Sequence, residues 1–360
     1  MNYQQLARIK LQGYKSIAEC DLEMRRLNIL IGPNGAGKSN FIGFFKLLQQ
    51  MLQGNLQKAV SKAGGPDALL HFGRKKTERI RAELYFGNNG YRFTLEPTRD
   101  NRMMYADENL YWNKTEGCNI GSGHFESAAD IKKGHTKVYD YVIPPMKKWQ
   151  VYHFHDTSES SLMKQPHAIN DNFYFRPDAR NLAAYLYYLQ QNFPSDFQKI
   201  EKAIRLVAPF FGQFALRPQT SNPEVIELEW FEESEDMPFK AHHFSDGTLR
   251  FICLTTLLLQ PSEKQATIII IDEPELGLHP YAITVLAGLL KSISKEKQVI
   301  VSTQSVDLLS EFLPEDVIVV NREANKSVLR RLEGTKLQGW LEEYSLGELW
   351  KKNLLGGRPS

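Results

Sequence analysis

The sequence predicts an α/β fold organised around a phosphate-binding loop, with an antiparallel β subdomain at the N-terminus and a mixed helical and irregular region inserted behind it. Three observations predict it. The octapeptide GPNGAGKS, residues 32–39, stands between an apolar run at 27–31 and a segment carrying Phe41, Ile42, Phe44, Phe45, Leu47 and Leu48. A second apolar run, residues 267–271, is rich in β-branched side chains and ends in Asp272-Glu273-Pro274. Strand-like and helix-like segments then alternate as far as Val320, the pattern of an α/β sheet.

In chain order, residues 6–11 alternate as a strand and Gly13-Tyr14-Lys15-Ser16-Ile17 turns it. The run 27–31 is the buried strand feeding the loop, and a helix follows from Lys38 to about Leu52. Residues 58–76, with Gly64-Gly65-Pro66, read as a loop or short helix. Two period-two stretches, 79–86 and 91–95, flank Gly87-Asn88-Asn89-Gly90 and predict a hairpin. From Pro97 to Lys148 the chain is polar and Gly-punctuated, and a surface excursion is expected. Residues 149–154 regain strand character. Helical spacing over 181–191 and 197–207, broken at Pro194, predicts a helical hairpin, and 225–230 a further strand. After 267–271 come a helix at 281–293, a strand at 298–301, a helix at 306–312 and a strand at 317–320. The expected division is a lobe bearing the phosphate-binding loop at 1–96, an inserted region at 97–240, a second lobe at 241–335 and a tail at 336–360.

Bulk properties narrow the function classes. With 44 basic and 42 acidic residues the net charge is +2, so any basic surface is a local patch. Cys20, Cys118 and Cys253 follow no C-x-x-C spacing, which supports neither a disulfide framework nor a zinc site. No run of 18 apolar residues occurs and the N-terminus lacks a signal peptide's apolar stretch. A cytoplasmic protein without membrane contact is expected.

The chemistry follows from the motifs. A phosphate-binding loop points backbone N–H groups and a helix N-terminus at one anion, so Gly32, Gly35 and Gly37 are expected where the chain bends or a β-carbon would meet phosphate. Asn34, Gly35, Ala36, Gly37, Lys38, Ser39 and Asn40 are the expected ATP contacts. Lys38 reaches the β- and γ-phosphates, and the Ser39 hydroxyl is placed for Mg²⁺. Asp272, at the end of an apolar strand, completes the Mg²⁺ shell opposite Ser39, and Glu273 is the expected general base that polarises water. Phe244-Ser245-Asp246-Gly247-Thr248-Leu249-Arg250 precedes a helix, and Ser245 with Gly247 offers a second anion site. His153 and His155 share one side of a strand-like segment, but no third ligand is identifiable, so a metal pair is not supported.

GPNGAGKSN, FSDGTLR, IIIIDEPELGLHP and VSTQS, in that order and spacing, resemble the ABC-type ATPase heads of the RecF, SMC and OLD-nuclease group. LQGYKSI resembles that group's opening strand, and the region containing HFHDTS and DARNLAAYLYYL resembles the stand-alone prokaryotic members. The likeness covers residues 1–60 and 240–320. It implies a head that dimerises around ATP and Mg²⁺, with Ser245 and Gly247 closing in trans over the γ-phosphate. Leu276-Gly277-Leu278-His279 then crosses the dimer interface. Gln304 occupies the switch position where the group often has His, which implies a γ-phosphate sensor and slow turnover. Gln150, His153 or His155 fills the place of the Mg²⁺-reporting glutamine, with none favoured. No long coiled-coil insertion is present. An OLD-type nuclease would continue into a Toprim domain, whereas this chain stops at Ser360. The resemblance to the stand-alone members, many of them encoded beside a second, nuclease-like protein, implies control of a separate, Toprim-like nuclease effector in anti-phage defence, with DNA or a foreign component as the trigger. The alternatives are a RecF-like repair ATPase without an effector and an ATP-bound scaffold. Residues 346–357 are amphipathic and are expected to pack on the chain's own lobe, with partner docking as the alternative.

Overall fold

The computed structural model describes residues 5–113, 116–233 and 235–355. It falls into two units, Met1–Val151 with Ala266–Ile270 and Lys297–Ser360, and Tyr152–Gln265 with Ile271–Glu296.

The described strands include two six-stranded sheets. One is antiparallel in the order Ile17–Glu23, Arg8–Tyr14, Ile80–Phe86, Asn89–Pro97, Met103–Trp112, Glu116–Gly121. The hairpin Ile80–Phe86/Asn89–Pro97 is where the period-two pattern predicts it. Two strands and a helix occupy the stretch where a surface excursion is expected. The polar look of that stretch has a physical cause. Glu108, fully buried, accepts hydrogen bonds from Tyr91 Oη (2.6 Å), Ser127 Oγ (2.5 Å) and the Ala128 N–H (2.9 Å), and pairs with His124 Nε2 at 2.7 Å. A satisfied buried carboxylate reads as surface in a sequence. Likewise Pro144 and Pro145 lie inside the helix Lys137–Lys147, disguising an element that buries Tyr139, Val142, Ile143 and Met146.

The other sheet runs Lys326–Arg331, Val317–Glu323, Leu27–Ile31, Gln298–Thr303, Ile268–Asp272, Gln150–Tyr152. Leu27–Ile31 is parallel to the strands on both its sides, and all five of its residues are buried, which is why it reads as an uninterrupted apolar run. The helix Lys38–Leu52 buries its aromatic side: Phe44 meets Tyr14 at 5.3 Å and Phe93 at 6.4 Å, and Phe45 meets Trp149 at 5.7 Å between ring centroids. This packing anchors the loop at the helix's start. Leu346–Lys351 packs on the chain's own helix Val306–Ser310, as expected for the described part of the tail. Leu346 and Leu349 are buried, and a β-carbon on Gly347 would stand 2.5 Å from Val306 O. The helix Leu56–Ala63 runs into the stretch 58–76, where a loop or short helix is expected, and its first N–H groups, Leu56 and Gln57, donate to Glu126.

The second unit is built on the helices Leu182–Asn192, Pro194–Val207, Asp246–Leu259 and Pro280–Ile293. Pro194 is the first residue of its helix, where its missing N–H costs nothing. The expected strand at 225–230 is two strands in different three-stranded sheets, Asn222–Ile226 and Glu229–Glu232. Among the described residues no helix is long and apolar enough to cross a membrane.

Candidate functional site

In the first unit the phosphate loop links Leu27–Ile31 to Lys38–Leu52. No side chain caps the helix, whose N-cap is Gly37 at φ 114°. An uncapped helix N-terminus is an anion site in waiting. Lys38 is buried, and its Nζ donates to Gly32 O at 2.6 Å and to Pro33 O at 3.2 Å. The ammonium is thus folded back over the loop, on carbonyls that a phosphate could replace.

The three loop glycines have different reasons. A β-carbon on Gly32 would lie 2.3 Å from Val320 O, and one on Gly37 2.0 Å from Ser327 Oγ and 2.8 Å from Ser16 Oγ. Both are required by neighbouring protein, where phosphate contact is the reason the motif alone suggests. At Gly35, φ 78°, a β-carbon would meet nothing within 4 Å, so this is where the backbone lies open to a ligand. Asn40 Nδ2 donates to Ser16 Oγ at 2.7 Å. Gln304 follows Thr303, which stands opposite Ile31 across the parallel pair, so the switch segment ends beside the start of the loop. Thr303 Oγ1 accepts from the Ser305 N–H at 2.9 Å, fixing the turn that carries Gln304. Arg322 Nη1 lies 3.4 Å from Gly35 O.

The second unit gathers the signature, the carboxylate pair and the crossing loop. Ser245 is exposed and caps the helix Asp246–Leu259, its Oγ accepting from the Thr248 N–H at 3.2 Å. Gly247 packs directly on the crossing loop, since a β-carbon there would stand 2.4 Å from Gly277 O. Asp272 and Glu273 are half-buried. Glu273 adopts φ 47°, a left-handed conformation that costs a non-glycine residue on the order of 1 kcal/mol and is held by its surroundings. His155 Nε2 stands 3.2 Å from Asp272 O, and because a carbonyl only accepts, the ring carries its proton there. Among the three residues considered for the Mg²⁺-reporting place, His155 makes this contact with Asp272 O within the unit. Gln150 lies in the first unit with its Oε1 buried and unpartnered. The His153 and His155 rings are 6.1 Å apart, and among the described residues no three His, Cys, Asp or Glu side chains are grouped to hold a metal.

Arg250 joins these pieces. Its Nε donates to Phe154 O (3.1 Å), Nη1 to Leu276 O (2.9 Å), and Nη2 to His155 O (3.0 Å) and Thr157 Oγ1 (3.1 Å). A planar fork of donors fits this task, where an ammonium would not. Arg250 ends the segment FSDGTLR, and nothing in the sequence marks it for this role. Ser16 and Ser327, which brace the loop, carry no sequence signal beyond the opening strand's Tyr14-Lys15-Ser16.

The fold and the paired motifs define an ABC-type ATPase head of the RecF, SMC and OLD kind. A family model described as "AAA domain, putative AbiEii toxin, Type IV TA system" matches residues 27–310, and the chain belongs to this family. The chain is similar to the Old nuclease of Escherichia phage P2, 24% identical over 377 residues, covering 92% of this chain and 62% of the relative. It therefore spans about three-fifths of the length of that curated relative. Its fold is similar to an SMC head bound to the C-winged helix domain of ScpA, at a TM-score of 0.62 and 16% identity over 92% of this chain and 99% of that one. An SMC head with an extended coiled coil from Pyrococcus furiosus, bound to the C-terminal domain of ScpA, gives 0.60 and 16%, covering 94% of this chain and 98% of that one.

Proposed function

We propose that this ATPase head binds ATP with Mg²⁺, dimerises around it and hydrolyses it slowly, and that the dimer controls a separate nuclease effector in anti-phage defence. The observation that carries the dimer is the exposed ledge of the second unit: Ser245, Leu276 at 43% exposure and Tyr281 at 54% exposure, with Gly247 packed on Gly277 and Arg250 on Leu276 O. A signature and a crossing loop locked to one another and left open to solvent suit contact with a second copy.

The residues take the roles their motifs suggest. The N–H groups of Asn34 to Asn40 and the Lys38 ammonium bind the phosphates. Ser39 and Asp272 would hold Mg²⁺, which would supply neutralising positive charge to the bound phosphates. Glu273 orients and polarises the attacking water, and Gln304 senses the γ-phosphate. Its amide donates but does not titrate, and this favours, as a second reading, an ATP-bound scaffold with negligible turnover. Ser245 and Gly247 of a second copy close over the γ-phosphate. DNA is the proposed ligand of the assembled heads. The nuclease part rests on the likeness to the Old nuclease of phage P2, and the defence part on the resemblance to the stand-alone prokaryotic members.

The test is coexpression with the product of the adjacent gene. The pair is expected to cleave DNA in an ATP-dependent way, and the pair carrying Lys38→Ala to be inert. Absence of cleavage together with unchanged phage plating would remove the effector from the account and leave the ATPase alone.

A further inference from the structure

Behind the phosphate loop, within the first unit, four residues form a closed chain of hydrogen bonds. Asn40 Nδ2 lies 2.7 Å from Ser16 Oγ, Ser16 Oγ 2.7 Å from Ser327 Oγ, and Ser327 Oγ 2.5 Å from Ala36 O. The direction of each bond follows by elimination. Ala36 O only accepts, so the single Ser327 proton goes to it; the Ser16 proton then goes to Ser327 Oγ, and the Asn40 amide donates to Ser16 Oγ. The chain thus starts on the first turn of the helix Lys38–Leu52 and returns to the loop just before it.

The two serines come from distant parts of the sequence. Ser16 lies in the turn between Arg8–Tyr14 and Ile17–Glu23, and Ser327 is the second residue of the strand Lys326–Arg331, paired with Arg322. The Ser327 N–H also donates to Ser16 O at 2.7 Å, so the turn and the strand are bonded by backbone as well. Ser327 is 1% exposed, which strengthens its hydrogen bond and makes its loss costly. Gly37 has no β-carbon because both hydroxyls stand in that place.

We infer that Ser16 and Ser327 are positioning residues of the phosphate loop, holding the Ala36–Gly37 peptide so that its N–H faces the nucleotide. In a trans peptide the C=O and N–H point in opposite directions. Fixing Ala36 O on Ser327 therefore aims the Gly37 N–H to the far side of the loop, away from the brace. Without the brace the peptide is free to rotate, and binding must order it at an entropic cost. The inference rests on the reading of this loop as the ATP site.

The experiment measures ATP affinity of the full chain by calorimetry, with nucleotide-free thermal denaturation alongside. Ser327→Ala is expected to weaken ATP about tenfold, the size of one buried hydrogen bond. Ser16→Ala, at a half-buried position, does the same should Ser327→Ala fold poorly. Ser16→Thr, which keeps the hydroxyl, is expected to bind within about twofold of the parent. Because the hydroxyls act in series, the double alanine variant is expected to bind about as well as the weaker single one, a non-additivity a merely structural role would not produce. Parent-like affinity in both single alanine variants, with Lys38→Ala unable to bind, overturns the inference and leaves the ATP site standing. Parent-like affinity in Lys38→Ala overturns the ATP site and the inference with it.

Discussion

The phosphate loop and the signature segment both end at a helix N-terminus, yet they are built in opposite ways. The loop's helix has no side-chain cap; Lys38 folds over the loop onto Gly32 O and Pro33 O, and Ser327 ties Ala36 O from behind. The signature helix is capped by its own Ser245, which is exposed and also lies 2.9 Å from Thr248 Oγ1. One is a cradle finished before the ligand arrives. The other is complete as a helix and unfinished as a site, because its serine hydroxyl and the crossing loop it packs on face solvent. Substitutions in the cradle should therefore act in the isolated chain, and those in the signature only when two copies meet.

That contrast can be pressed from its largest effect downward. Lys38→Ala removes the cation from the cradle and should weaken ATP at least ~100-fold, or roughly 3 kcal/mol, by calorimetry; binding within tenfold of the parent would break the cradle reading. Gly37→Ala forces a β-carbon against Ser327 Oγ at φ 114° and should destabilise folding by about 2–3 kcal/mol in a urea titration. Gly35→Ala, with a positive φ but open space, should cost only about 1 kcal/mol and so separates crowding from backbone strain.

In the other region, Arg250→Ala removes four hydrogen bonds that tie the signature helix to Phe154, His155, Thr157 and Leu276. It should lower stability by about 2 kcal/mol, with Arg250→Lys no better. Full stability in Arg250→Lys would show that charge alone suffices. Ser245→Ala is the mildest, at about 0.5–1 kcal/mol for a lost N-cap. ATP binding by the single chain should be untouched while ATP-driven association is lost, and a matching loss of both would erase the distinction between the two regions.

The motif half of each region was legible in the sequence because its chemistry is local. A Gly-rich loop between an apolar strand and an amphipathic helix is a statement about neighbours in the chain, and so is Asp272-Glu273 after an apolar strand. The bracing half was not legible. Ser16, Ser327 and Arg250 act through partners that lie 24, 291 and 96 positions away, at Asn40, Ala36 and Phe154, and a serine in a turn looks like any other serine. The same reason hid the strand Met103–Trp112, whose Glu108 is polar in the sequence and satisfied only once Tyr91, His124 and Ser127 are folded around it. The motif explains its glycines by the phosphate, but at Gly32 and Gly37 the crowding atoms belong to the protein.

The central claim is that ATP, held in the finished cradle, brings the unfinished signature of a second copy onto it. Glu273→Gln removes the carboxylate proposed as general base and leaves both regions otherwise intact, so ATP is expected to be bound and not consumed. Light scattering on this variant with Mg²⁺ should show the mass double when ATP is added, and return when the nucleotide is removed. An unchanged mass in a sample shown by calorimetry to be saturated with ATP would contradict the account.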